Sequence, residues 1–381
     1  MKKYLCLLLM LVAAFLGCNK TEKNSAQIET IDGIPHVMNT MLPLKGTVQL
    51  ELEPLLKIDP YEHEEIGLKY YHAVKDKDGE VILFDSYNAE AERFTKDGEY
   101  IGNFIKKGQG PGEFSEGSNM RVFCIDSQIW VTGSQKLAKF DKQGNFIEDI
   151  KFGDLLVTFI ENNLYVIDKT TRTGEDSFKQ IMIKKILENQ EVGEGPVLME
   201  GTNLGMIRIP RGGFGDDWAT PDISYAVDRN TKKIYVGLKS EYKIYAKDTE
   251  GNILYVIERP FTRVALSGKD KEKMLEIFIR FQKDQKQILL DAYPDHLMAF
   301  KDMKVLPKGF LAVYRISGLK QYEIDIFDDK GRYIYKIEPL ENVSLDEAVF
   351  YDFGFSTVET VDDFPVYVEY RIKNLPEIFN E

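Results

Sequence analysis

The sequence predicts an all-β fold: a six-bladed β-propeller with four-stranded blades, its ring closed by N- and C-terminal strands, and one helical insertion. Three observations lead there. A short phrase recurs four times, as Phe94-Thr-Lys-Asp-Gly98, Phe140-Asp-Lys-Gln-Gly144, Ala246-Lys-Asp-Thr-Glu-Gly251 and Phe327-Asp-Asp-Lys-Gly331. Each copy joins two segments rich in β-branched and aromatic residues through a polar turn, whose Gly supplies the positive φ of a tight hairpin. The four glycines stand 46, 107 and 80 residues apart. The shortest spacing is the period of a four-stranded blade, so the longer ones read as two blades and as one blade carrying an insertion.

In chain order, the first element is a leader. Lys2 and Lys3 precede an apolar run of 14 residues, Tyr4 to Gly17. That is short of the roughly 20 residues a membrane-spanning helix needs, so residues 1–17 read as a signal peptide that is removed. Leu16-Gly17-Cys18, followed by polar residues, resembles the lipobox of bacterial lipoproteins, in which the cysteine becomes the lipidated N-terminus; Phe15 departs from its usual aliphatic residue. The resemblance implies lipidation of Cys18 and a place at the bacterial cell envelope, on the outer membrane and facing either the periplasm or the surface. Residues 18–32 are polar and read as a lipid-anchored tether, leaving residues 33–381 for the propeller. Of three cysteines only Cys124 lies in the body, where it reads as core filling. Loss of the leader takes the formal charge from −13 to −15. So acidic a chain lacks the basic footprint that nucleic-acid binding requires.

Two strands are expected near residues 34–39 and 47–52. Blade one follows at residues 69–104, blade two at 120–150, a less regular blade three at 156–183, blade four at 224–257 and blade five at 304–337. The tail offers two more strands, at residues 355–361 and 366–372. The spare N-terminal pair is expected to complete that half-blade and so leave no open sheet edge there. Residues 267–290 break the pattern. They read as a helix with Ser267 as N-cap and Met274, Phe278 and Phe281 on one stripe.

Lys106-Lys-Gly-Gln-Gly-Pro-Gly-Glu-Phe114 follows blade one, and a weaker copy, Val192-Gly-Glu-Gly-Pro196, is placed after blade three. With the preceding strand, the Gly108 to Phe114 segment resembles that of the bacterial six-bladed β-propeller lipoproteins, relatives of the NHL-repeat and TolB-like propellers. The resemblance implies the fold and carries almost nothing about function. A phosphate cradle would need a helix N-terminus after the glycines. Here the context is strand, loop, strand, and a crossover between blades is the expected role.

No catalytic residues, metal ligands or cofactor are assigned. His36, His63, His72 and His296 form no close pair in sequence, and neither a sialidase box nor a nucleophile elbow is present. His36 and His72 fall in predicted strands of neighbouring blades. That leaves as the alternative a metal-dependent hydrolase or lyase with its site in the central channel. Arg211, Phe214, Asp216, Asp217 and Trp218 form the candidate binding loop, because glycines, an adjacent carboxylate pair, an Arg and a Trp together suit recognition; the alternative is a connecting loop that Trp218 and Phe214 anchor to the rim. The expected function is therefore that of a lipid-anchored envelope propeller holding a protein, peptide or glycan on one face.

Overall fold

The computed structural model describes residues 26–374 except 64–65, 67, 69–70, 134–135, 153–154, 174–175, 188–190, 203, 206, 210–211, 215–217, 282, 339, 341–342, 344, 346–347, 352 and 362–363. The recurring phrase is one hydrogen-bonded loop used repeatedly. In the loop at Asp141, its carboxylate accepts the Asn145 N–H at 2.8 Å, the two backbones pair, and the Gly144 N–H donates to the Asp141 carbonyl. Gly144 has φ +84°, a conformation a residue with a Cβ adopts only at a cost. Asp248 with Asn252 and Asp328 with Arg332 repeat the pattern, and Thr95 with Glu99 builds it with a hydroxyl.

These glycines have a second role. A Cβ on Gly98 would lie 3.1 Å from Leu56, on Gly144 2.7 Å from Phe104, on Gly251 2.9 Å from Pro196 and on Gly331 2.9 Å from Ile257. In each case the neighbour lies on or beside the outermost strand of the preceding blade. The turn that closes a blade is thus also where that blade is wedged against the one before it.

Six sheets form the ring. Blade one holds His72–Lys75, Val81–Asp85, Glu90–Phe94 and Tyr100–Asn103. Blade two holds Arg121–Ile125, Gln128–Thr132, Lys136–Asp141 and Phe146–Lys151. Blade three holds Leu155–Glu161, Leu164–Thr173, Asp176–Ile186 and an outer strand, Val197–Thr202, that the sequence reading left unassigned. The weaker glycine motif therefore lies inside blade three, ahead of its last strand, and not after it; Val192–Gly193 pairs with the third strand. Blade four holds Ile223–Asp228, Lys233–Leu238, Lys243–Lys247 and Ile253–Glu258. Blade five holds Phe300–Val305, Leu311–Gly318, Gln321–Phe327 and Tyr333–Ile337.

The ring closes differently from expectation. The C-terminal part of blade six has three strands, Val349–Tyr351, Gly354–Val361 and Phe364–Ile372, the first too short to read from sequence. Only one N-terminal strand, Leu52–Ile58, completes it, antiparallel to Phe364–Ile372. The earlier residues form a strap across the outer edges of two other blades. Gln27–Ile31, read above as tether, pairs with Ile34–Met38 through a turn in which Asp32 and Gly33 both have positive φ. Ile34–Met38 adds in parallel to Ile253–Glu258 of blade four, and Thr47–Val48 adds to Tyr333–Ile337 of blade five. Buried Asn39 joins the two blades: its amide donates to the carbonyls of Glu258 and Gly331, and its side-chain oxygen accepts the Tyr333 N–H at 2.7 Å.

The core is divided among the blade interfaces. Separate clusters of buried apolar residues fill the gaps between blades one and two, two and three, three and four, four and five, five and six, and six and one. A seventh cluster belongs to the insertion, which is three short helices and not one: α1 (Gly268–Met274), α2 (Glu276–Phe281) and α3 (Lys286–Ala292). Ser267 caps α1 in a capping box with Asp270. The chain bends at Leu275, which has non-helical ψ and is fully buried, so that Met274, Leu289 and Tyr293 converge on one cluster.

If the turn glycines serve both φ and blade contact, Gly331→Ala should cost more stability than Gly33→Ala. Both have φ near +80°, but a Cβ at Gly33 meets nothing within 4 Å. Left-handed backbone alone accounts for about 1–2 kcal/mol, and overpacking against Ile257 and Tyr255 should add about 1–3 kcal/mol. Urea unfolding of the two variants measures the difference; equal midpoints would refute the contact role.

Candidate functional site

Neighbouring strands run antiparallel, so the loops from second to third strands and the crossovers between blades emerge at one end of the ring. The tight turns emerge at the other. The crossover from blade three to blade four, residues 203–222, and the crossover from blade four to blade five, which carries the helices, therefore share an end. They also share a core. Ile207 and Ala219 pack with Leu275, Leu289, Tyr293 and Leu297 of the helical segment and with Ile316 of blade five.

The candidate binding loop belongs to this assembly. Within it, Ile207–Ile209 pairs with Gly212–Phe214, which places Phe214 on the second strand of a small hairpin. Arg211, Asp216 and Asp217 lie outside the described residues. Trp218 is half-buried against the helical cluster, its carbonyl accepting the Met298 N–H at 2.8 Å. Its ring lies 6.4 Å from that of Tyr322, and the Lys301 ammonium sits 5.1 Å from its centroid. Trp218 therefore fixes the base of the loop to the ring.

The first strands of blades one to five touch one another in turn around the centre, and the second strand of blade six, Gly354–Val361, reaches the first strand of blade one. Ser224 on blade four donates to Asp302 on blade five at 3.0 Å. Beside them Lys179 bridges Asp222 at 2.7 Å and Asp168 at 2.9 Å, tying blade three to the approach of blade four. Burial alone would lower the Lys179 pKa, but its bonds to Asp222 and Asp168 outweigh this and hold it above the ordinary value. The Tyr225 hydroxyl, on the same inner strand as Ser224, is pushed up by burial; Arg121 opposes the shift, while Asp302, Asp168 and Asp222 add to it. Both groups are held in their ordinary protonation states, as buried structural partners are.

The histidine pair considered from sequence does not assemble. His36 lies on the strap at the outer edge of blade four, its Nδ1 2.6 Å from Glu258 Oε1. His72 lies on the innermost strand of blade one, its ring against Phe84. Opposite radial positions and non-adjacent blades separate them, because the N-terminal segment travels outside the ring before entering it. Among the described residues, no three His, Cys, Asp or Glu side chains gather as metal ligands.

The glycine motif is a crossover filled by its own side chain. Lys106–Lys107 pairs in parallel with Glu113–Phe114, and the Glu113 carboxylate accepts the Gly110 N–H at 2.9 Å. The Gly108 and Gly112 N–H groups are spent on the Phe114 carbonyl and on Asp149. Phe114 is buried between blades one and two, with the Lys136 ammonium 4.9 Å from its ring centroid. The carboxylate occupies the place a phosphate would need.

Sequence reasoning missed a buried charge cluster between blades four and five. Asp325, with no exposed surface, accepts from the hydroxyls of Tyr242 and Tyr333 and faces the Arg259 guanidinium at 3.1 Å. A signal was present in the repeat: Asp325 and Glu92 each stand two residues before the Phe that opens the hairpin, and Tyr333 and Tyr100 two residues after its Gly. The Tyr100 hydroxyl donates to Glu92 at 2.8 Å, as Tyr333 does to Asp325.

Residues 62–200 match the family model DUF5128, described as a 6-bladed beta-propeller. No curated protein sequence matches the chain. Among solved structures, a Bacteroides fragilis protein described as exported is similar at 12% identity and TM-score 0.51, over 88% of this chain and all of that one. A member of the duf4221 family from Bacteroides vulgatus is similar at 10% identity and TM-score 0.50, over 86% of this chain and 99% of that one. At such identities the likeness is one of fold.

Cys124 serves as a reactivity control. Burial, with the nearby Asp76 charge, raises its pKa to about 12, so little thiolate forms near neutrality. Iodoacetamide at pH 8 should label it slowly in the folded protein and quickly in urea. Fast labelling of the native state would contradict its placement.

Proposed function

We propose that this chain is a lipid-anchored binding or scaffolding propeller of the bacterial cell envelope, related to the NHL-repeat and TolB-like propellers. It holds a protein, peptide or glycan at the end of the ring that carries its crossovers. The observation that carries this reading is the concentration of non-repeating structure at that end. The paired strands Ile207–Ile209 and Gly212–Phe214, Trp218 and the three helices form one packed assembly there, whereas, apart from the connection after Ile186 in blade three, the described turns at the opposite end are short and self-satisfied. Function tends to reside in loops that a rigid scaffold positions. Arg211, Phe214, Asp216 and Asp217 are the contact residues of this proposal, and Trp218 is their footing as well as a contact.

Anchoring is assigned to Cys18. Among the described residues no helix is long and apolar enough to cross a membrane. Because the first described strand begins at Gln27, eight residues separate it from Cys18. Fully extended, they span at most about 28 Å, which would keep the outer edge of blade four close to the lipid.

Cys18→Ala should move the protein from the membrane to the soluble fraction; retention after a high-salt wash would refute the anchor. Separately, Arg211→Ala with Asp216→Asn and Asp217→Asn should abolish capture of envelope components by the immobilised mature chain, with the thermal midpoint unchanged. Undiminished capture by the folded triple variant would refute the loop as the contact site.

A further inference from the structure

A cavity of about 550 Å³ lies where the strap crosses blade four. It stands apart from the candidate loop, although it opens at the same end of the ring. Residues 240–243, which lead into the third strand of blade four, and residues 258–263, which lead out of its fourth, form its walls, and the strap residues Met38 and Asn39 complete them. Its size is that of small-molecule sites.

The lining combines an apolar floor with cationic groups. Tyr242 is buried, with its ring 6.0 Å from that of Phe261. Arg259 is 94% buried and spans the Tyr242 and Tyr333 rings. One of its terminal nitrogens faces Asp325 and the other donates to the Met41 carbonyl, while its Nε has no hydrogen-bond partner among the described residues. Such an orphan donor is costly where nothing satisfies it. Arg263 is held over the opening by donation to the Ser240 carbonyl at 2.6 Å and has no carboxylate partner among the described residues. Lys243 lies 3.5 Å from Glu258, whose carboxylate is shared with His36. Glu241 is the second carboxylate of the lining; Arg259 is matched by Asp325 and Lys243 by Glu258, so Arg263 is the lining cation with no carboxylate facing it among the described residues.

We propose that this cavity binds a small organic anion. Arg263 and Lys243 receive its oxyanion group, and its planar or apolar body lies on Phe261, which the buried Tyr242 ring backs. A guanidinium already tethered by one nitrogen is pre-organised to donate its others to a carboxylate, sulfonate or phosphate. The aromatic floor contributes the apolar burial that a bare inorganic ion cannot use. Because Met38 and Asn39 complete the wall, occupancy would also steady the strap.

Anilinonaphthalene sulfonate, an aromatic body with one fixed anionic group, is the probe, and uncharged phenylnaphthylamine is the control. The folded mature chain should enhance the fluorescence of the sulfonate saturably and bind the uncharged dye more weakly. The double variant Lys243→Gln, Arg263→Gln should weaken sulfonate binding by about tenfold or more, as expected for lost charge-assisted hydrogen bonds. Ser240→Trp, which fills the cavity and keeps both cations, should abolish it. Displacement by benzoate, benzenesulfonate or phenyl phosphate ranks the oxyanion. The assignment fails if the wild type does not bind the sulfonate, if both dyes bind equally, or if either variant binds like the wild type while melting at the same temperature.

Discussion

The pairing of Leu52–Ile58 with Phe364–Ile372 is the interaction on which the rest of the ring depends. Every blade hides its faces against its two neighbours, and the apolar clusters lie between blades and not within them. An open ring would leave the cluster of Ile58, Tyr367, Leu83 and Phe94 in water, together with two sheet edges. The seam joins residues more than 300 positions apart, and Asn374 reinforces it by donating to the Gln49 carbonyl while accepting the Glu51 N–H. The entropy of closing so long a loop grows only logarithmically with its length, so a single well-paired strand with its cluster can offset it.

The strap makes this seam part of a longer clasp. One N-terminal segment pairs with blade four, then blade five, then blade six. Asn39 spends its side chain on backbone groups from two blades. The charge cluster of Asp325, Arg259, Tyr242 and Tyr333 lies in the same interface, with Arg259 also reaching the strap at Met41. Neutralising only one partner there would strand the other's charge in the core. The four-five interface thus combines a buried charge cluster with cover from the strap.

Much of this architecture was legible in the chain, because the blade repeat is local. A hairpin loop closed by an Asp or Thr side chain and a left-handed Gly needs only five residues, and each copy declares itself. The strap was not legible, since parallel addition to an outer edge follows from where the ring places that edge, not from any property of Ile34–Met38 itself. Even so, the Asp32-Gly33 dipeptide is a strong two-residue hairpin signal, and it would have moved Gln27–Ile31 from tether to strand. Three-residue Val349–Tyr351 lies below the length at which alternation can be read. At the candidate loop, Trp218 was recognisable as an anchor, but its partners Lys301 and Tyr322 come from blade five, beyond the reach of local pattern. Two partners of Asp325 were hidden for the same reason, Tyr242 and Arg259 coming from blade four, whereas Tyr333 lies in the same blade.

The placement of the strap also decides how the molecule would respond to tension. A pull on the N-terminal end of Gln27–Ile31 acts first where Gln27 faces Met38, at the open end of that hairpin. The hairpin would then peel pair by pair toward Gly33, each step breaking few bonds. Further extension must draw Ile34–Met38 away from Ile253–Glu258 and extract Asn39 from between two blades. The outer hairpin would act as a sacrificial slack element, letting out chain under small loads while the six interfaces of the ring stay shut.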